Sequence, residues 1–266
     1  MSAALRALAL PFLLFLGSCS SFDKALKSND VNFKLTKANE YFDKKQYQRA
    51  NELYATLVPV IRGTRNYEPL YFRYAYSFYH LKDYLSASFH FKNYADQFPT
   101  SRDADEAEFL QAVSLYKMAP KASLEQVNTI KAMEALQNYL NSHPTTKRAA
   151  EINGYLDAGR KKLEEKDAAA AKLYFNMGQH KAAAISYQAV LREYPESPAA
   201  DFYQYMVVRS LYNYARRSVP EKQEERFGNM LTAYRELNEL YPTSSYVKEA
   251  EPLNALASIS IQQLRK

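Results

Sequence analysis

AYSFYHLKDYLSASFHFKNYADQFP, residues 75–99, and AKLYFNMGQHKAAAISYQAVLREYP, residues 171–195, are two spellings of one pattern. Alanine opens each, and an aromatic follows three residues later (Phe78, Tyr174). A second alanine comes nine residues on (Ala87, Ala183), then Phe91 or Tyr187, then Tyr94 or Val190, and finally Pro99 or Pro195. Steps of three and four place side chains on one face of an α-helix. The step of nine crosses a polar break, and proline forbids further helix. Small residues let two helices approach closely while large ones fill the space beside them. The pattern therefore describes a helix–turn–helix pair.

The same spacing recurs. Ala38, Tyr41, Ala50, Tyr54 and Leu57 form an earlier copy. Ala132, Leu136, Tyr139 and Pro144 belong to a third, with KMAPKASLEQVN (117–128) inserted between its helices. Met230, Tyr234, Leu237 and Pro242 belong to a fifth, with RRSVPEKQEERFG (216–228) as a comparable insert. VKEAEPLNALASISIQQLRK (247–266) reads as an amphipathic helix able to cap a stack. Between copies stands one phrase: DQFPTSRDADEA (96–107), NSHPTTKRAAEI (141–152), REYPESPAADFY (192–203) and ELYPTSSYVKEA (239–250). An aromatic (His143 in one case) and a proline end one pair. The Ser or Thr that follows is expected to cap the next helix. The spacing resembles the tetratricopeptide repeat. It predicts an all-α, right-handed superhelical solenoid of about five such pairs with a C-terminal capping helix.

Composition agrees. Six glycines in 266 residues, with 47% hydrophobic side chains and many helix formers, favour helix over sheet. The formal charge of +6 comes from 35 cationic and 29 acidic side chains that are interleaved. No block of like charge stands out, which argues against a nucleic-acid partner.

Cys19 is the only cysteine, so no disulfide can form within the chain. Arg6, an apolar run from Ala7 to Leu16, and small Gly17 and Ser18 read as an export signal over 1–18, too short to span a bilayer. Leu16-Gly17-Ser18-Cys19 is similar to a bacterial lipobox, in which the cysteine thiolate takes up a diacylglyceryl group. The expectation is a mature chain that starts at acylated Cys19 and is held in the membrane by lipid. A polar tether over 19–31 and the solenoid over 32–266 would follow. Ser20 and Ser21, with no aspartate, resemble outer-membrane cargo, placing the protein on the periplasmic face.

A lipobox, a short tether, five helix pairs and the FPTS, YPES and YPTS joints together resemble the BamD family, lipoproteins of the β-barrel assembly machinery. KKQYQRANELYATLVPV (44–60) and MGQHKAAAISYQAVLREYPESPAADFYQYMV (177–207) carry the likeness best, and it extends over essentially the whole chain. The resemblance implies a periplasmic scaffold that binds BamA, joins other lipoproteins of the machinery and receives unfolded outer-membrane β-barrel proteins. It further suggests that repeats 32–115 take clients and 116–266 dock on the machinery, with the two inserts projecting as partner contacts. The inserts and the 23 tyrosines depart from the family's pattern. A rival reading from another class is a nutrient-binding outer-membrane lipoprotein. Against it stands the absence of Trp, since sugar sites favour broad stacking rings.

The residues offer little for catalysis. His80, His90, His143 and His180 share no metal-ligand spacing, and no glycine-rich phosphate loop or GxSxG motif occurs. No enzyme activity, cofactor or metal is expected. The excess is aromatic, in NYEPLYFRYAYSFYHLKDY (66–84). Tyr71, Tyr74, Ala75 and Phe78 face the neighbouring helix in the repeat register. Phe72, Tyr76 and Tyr79 form a second stripe at i, i+4 and i+7. Phe42 occupies the matching position one repeat earlier, and Phe175 in the fourth. By resemblance, Phe42, Phe72, Tyr76 and Tyr79 line a client groove; alternatively the rings thicken the core. Such rings suit an extended client ending in aromatic residues, because they supply contact area at low entropic cost.

Overall fold

The computed structural model describes residues 17–266, so the apolar run of the expected export signal lies outside the described residues, as does the Cys19 side chain. Helices α1 (Gly17–Lys27), α2 (Val31–Asp43), α3 (Tyr47–Leu57), α4 (Tyr67–His80), α5 (Tyr84–Gln97) and α6 (Ala104–Lys117) come first. They are followed by α7 (Val127–Ser142), α8 (Ala149–Asn176), α9 (His180–Glu193), α10 (Ala200–Arg216), α11 (Pro220–Leu240) and α12 (Ser245–Leu264). No strand occurs among the described residues. Neighbours in sequence pack on each other: α2 with α3, α4 with α5, α6 with α7, α10 with α11, and α11 with α12. The chain is an all-α stack of tetratricopeptide-like helix pairs.

Packing divides it into two compact units, residues 17–120 with 126–156, and residues 121–125 with 157–266. The first core contains Ala38, Ala50, Tyr54, Ala75, Ala87, Phe91 and Tyr94, none of them exposed. The second contains Ala171, Tyr187, Val190, Met230 and Leu237. The spaced alanines are thus buried at the helix crossings. Ala87 and Ala183 are both fully buried. Replacing either with Leu should overpack a crossing and cost about 1–3 kcal/mol, read as a lower midpoint in urea unfolding. An unchanged midpoint for both would contradict this packing.

The repeated joint phrase has a uniform structure. Phe98, His143, Tyr194 and Tyr241 end their helices with φ near −125° to −131° and ψ of 55° to 66°. Each precedes a proline, whose ring drives the preceding residue out of the helical region. The hydroxyls that follow act differently from expectation. Only Ser244 is a true helix cap, accepting from Tyr246 N at 3.1 Å. Ser101, Thr146 and Ser197 accept from the N–H two residues on, one step before the helix begins. Three joint serines also donate to a carboxylate on the first helix of the preceding pair. Ser101 reaches Glu68 at 2.6 Å, Ser197 reaches Glu164 at 2.5 Å and Ser244 reaches Asp201 at 2.7 Å. At the remaining joint Tyr139 Oη donates to Asp105 at 2.6 Å. Each joint is therefore locked to the pair before it by a charge-assisted hydrogen bond.

Three expectations are corrected. The tether is mostly the helix α1: Ala25 is fully buried, and Phe22 meets Tyr41 edge-on at 5.7 Å beneath Arg49. Phe22, Ala25 and Leu26 make a narrow apolar stripe that the polar composition conceals. The insert at 216–228 is not a projecting loop, because Pro220 starts α11 and its first turns continue straight into the helix. Phe227 is buried there, 5.9 Å from the Tyr212 ring, so deleting 216–228 would cut into the core. Tyr174, expected to fill the space beside a helix crossing, is instead 42% exposed.

Candidate functional site

Phe42 sits at the end of α2, and Phe72, Tyr76 and Tyr79 run along α4. The structure brings all four together. Tyr76 is the centre, with ring centroids 6.4 Å from Phe42, 5.6 Å from Phe72 and 6.1 Å from Tyr79. All four rings are half-buried. On their inner side they lean on fully buried rings of α5: Phe72 lies 5.1 Å from Tyr94, and Tyr76 and Tyr79 lie 5.8 and 6.5 Å from Phe91. The stripe is thus core along one edge and open surface along the other. The reason is helical geometry: i, i+4 and i+7 lie one row aside from the Tyr71–Ala75–Phe78 row that packs inward. Phe175 belongs to the second unit, half-buried against His180 at 5.3 Å and beneath Arg209 at 5.2 Å.

Cations bracket the stripe. The Arg73 guanidinium lies over Phe42 at 5.1 Å and is held by Asp43 at 2.9 Å. The Lys117 ammonium lies over Tyr79 and Tyr84, at 5.8 and 5.6 Å. Further along the unit Arg148 stacks on Phe109 at 4.2 Å and pairs with Glu106. These partners come from other helices, so repeat spacing did not reveal them. Burial raises the Tyr76 phenol, and burial with neighbouring Tyr155 and Tyr84 pushes Tyr79 up to about 12. Both rings are therefore neutral near pH 7. They offer π-faces and hydroxyl donors that suit extended, aromatic-rich segments.

The histidines act as packing rings. His80 stacks on Tyr47 at 4.0 Å, His90 meets the Tyr71 hydroxyl at 3.0 Å, and His143 stacks on Tyr139 at 4.5 Å. Burial depresses the pKa of His80, His90 and His180. Among the described residues no cluster could hold a metal ion, and no helix is long and apolar enough to cross a membrane.

Residues 29–203 match the family described as YfiO, outer membrane lipoprotein. The chain belongs to the YfiO family. The matched stretch runs from just before α2 into the first turn of α10 and contains the whole aromatic stripe. The chain is also similar to a protein of Aquifex aeolicus (strain VF5) that carries the provisional name outer membrane protein assembly factor BamD. It is 26% identical over 135 residues, 51% of this chain and 44% of that protein, so the match spans under half of the relative's length. Among solved structures, the TPR2AB-domain:pHSP90 complex of yeast Sti1 is 16% identical, with 86% of this chain and 98% of that chain covered, at a TM-score of 0.40. The P58(IPK) TPR domain is 14% identical, covering 90% of this chain and 68% of that chain, at 0.41.

Proposed function

We propose that this outer-membrane lipoprotein is a non-catalytic scaffold of β-barrel assembly, binding BamA and holding unfolded β-barrel clients along its first unit. The observation that carries the reading is the half-open aromatic stripe Phe42–Tyr76–Phe72–Tyr79. A barrel strand awaiting insertion is extended and presents alternate apolar and aromatic side chains. Neutral rings braced from below by Phe91 and Tyr94 provide a rigid surface with little left to order on binding. Rim cations add contacts to the client's own rings and carboxylates. The second unit is assigned to docking on BamA and the other lipoproteins of the machinery. Two measurements test this. A labelled peptide copying the last strand of an outer-membrane barrel should bind weakly and exchange rapidly, and detergent-extracted protein should co-purify with BamA. Absence of both would end the proposal.

Anchoring belongs to the same reading. Cys19 is assigned as the acylated first residue of the mature chain, facing the periplasm on an outer-membrane lipid anchor. Intact mass of membrane-extracted protein should show loss of residues 1–18 and addition of lipid. Cys19→Ala should release the protein to the soluble fraction with its melting temperature unchanged, because α1 is held to the first unit by Phe22 against Tyr41 and by buried Ala25. A mature N-terminus elsewhere would refute the assignment.

A further inference from the structure

The turns that close the first two helix pairs share an uncommon feature. Lys45 (φ 58°) and Lys82 (φ 62°) both hold the left-handed conformation, which Gly178 (φ 75°) holds at the equivalent turn of the fourth repeat. Glycine does so without steric penalty and lysine does not. Two exposed lysines therefore stand where the backbone favours glycine.

Ring contacts place these turns side by side. Tyr47, which begins α3, stacks on His80, which ends α4, at 4.0 Å and 7°. Tyr79 and Tyr84 flank the second turn at 5.7 Å, and Lys117, at the end of α6, lies over both. One edge of the first unit thus presents exposed Lys44, Lys45, Lys82 and Lys117 around a set of tyrosines. A shallow hollow lined by Lys45, Gln46, Tyr47, Gln48, Arg49 and Leu81 opens there. The acids at these two turns are engaged: Asp43 pairs with Arg73, and Asp83 caps α5 through Ser86.

The start of α1 reaches the same edge. Ser21 and Phe22 lie against Tyr41, near the end of α2, so the chain at residue 19 is at the end of the unit where the α2–α3 turn lies. The geometry points to a membrane contact beyond the lipid itself: this edge rests on the leaflet that holds the Cys19 acyl chains, its lysines on anionic phospholipid headgroups. Lysines near such a surface are attracted individually and additively, and tyrosines favour the headgroup level. The contact would fix the unit's orientation, with the Tyr79 end of the aromatic stripe nearest the bilayer. The inference rests on acylation of Cys19 for that orientation alone.

The test uses full-length Cys19→Ser protein, which cannot be acylated, sedimented with vesicles of phosphatidylglycerol and phosphatidylethanolamine or of phosphatidylcholine. Binding to the anionic vesicles should be at least about ten-fold tighter at low salt and should fade as salt rises. Changing Lys44, Lys45, Lys82 and Lys117 together to Gln should abolish that preference; residues 1–18 are common to both proteins, so the difference reports the lysines. Lys45→Gly with Lys82→Gly should weaken binding while raising the melting temperature, a pair of effects that a merely structural role for the lysines would not produce. Glycerol phosphate at equal phosphate concentration should not displace the protein; displacement would indicate a site for free phosphate esters and overturn the leaflet contact. Equal binding to both vesicles, or unchanged binding by the Gln variant, would also overturn it. Either result would leave acylation of Cys19, read separately by mass, standing.

Discussion

Between about pH 10 and pH 12 the protein should lose its helices in one steep step. Tyr54, Tyr94 and Tyr187 are 0–1% exposed. Burial raises the phenol pKa of all three, and pushes Tyr94 up to about 12. Half-buried Tyr79 is held at about 12 as well. In the unfolded chain the same phenols ionise near 10. Above that pH the unfolded state sheds protons that the folded state retains, so stability falls as pH rises; below it these groups add no pH dependence. Tyr54 and Tyr94 each remove about 1.4 kcal/mol per pH unit in this window. Together they remove about 3 kcal/mol per unit, and Tyr187 acts in the same direction, against a total of about 5–15 kcal/mol for a typical domain. Helical circular dichroism and tyrosinate absorbance should therefore change together, above pH 10. A gradual phenol titration centred near 10 with the helices intact would contradict the burial of these rings.

Changing Phe72, Tyr76 and Tyr79 together to Ala should cost roughly 4–6 kcal/mol, because truncating a fully buried aromatic costs about 3–5 and these three are half-buried. The rings touch one another, so the single changes should not add to the triple. A triple variant as stable as the parent would show that the inner edges of the rings do not support Phe91 and Tyr94. Stability and client binding are separated by a second variant, all three to Leu, which keeps most of the apolar volume. It should fold with a modest loss and still bind the barrel-strand peptide several-fold more weakly than the parent, since the flat faces of the three rings, including the Tyr79 face beneath Lys117, are gone. Parent-like peptide affinity in the Leu variant would leave the stripe as core alone.

The repeat architecture and the place of its seams were readable from the residues. Alanine and aromatic positions three, four and nine apart gave the pairs, since helical periodicity is local and a buried small residue must recur where helices cross. The aromatic-proline joints were equally readable, because the pre-proline restriction acts within two residues. The stripe at Phe72, Tyr76 and Tyr79 was visible for the same reason, as was its kinship with Phe42.

What folds against what required the tertiary structure. Whether Phe72, Tyr76 and Tyr79 were groove or core depended on Phe91 and Tyr94, which reach them from α5. The polar run 20–27 became helix α1 because Tyr41 and Arg49 supply a surface for Phe22 and Ala25. Residues 220–228 became the first turns of α11 because Tyr212 and Tyr214 receive Phe227 and Arg226. The carboxylates at Glu68, Glu164 and Asp201 looked like ordinary helix-surface acids until Ser101, Ser197 and Ser244 arrived from 33 to 43 residues away. Periodicity within one helix records which face is apolar. It holds no record of the side chain that the next pair brings to that face, and here that partner decided both the burial of the aromatic stripe and the locking of each joint.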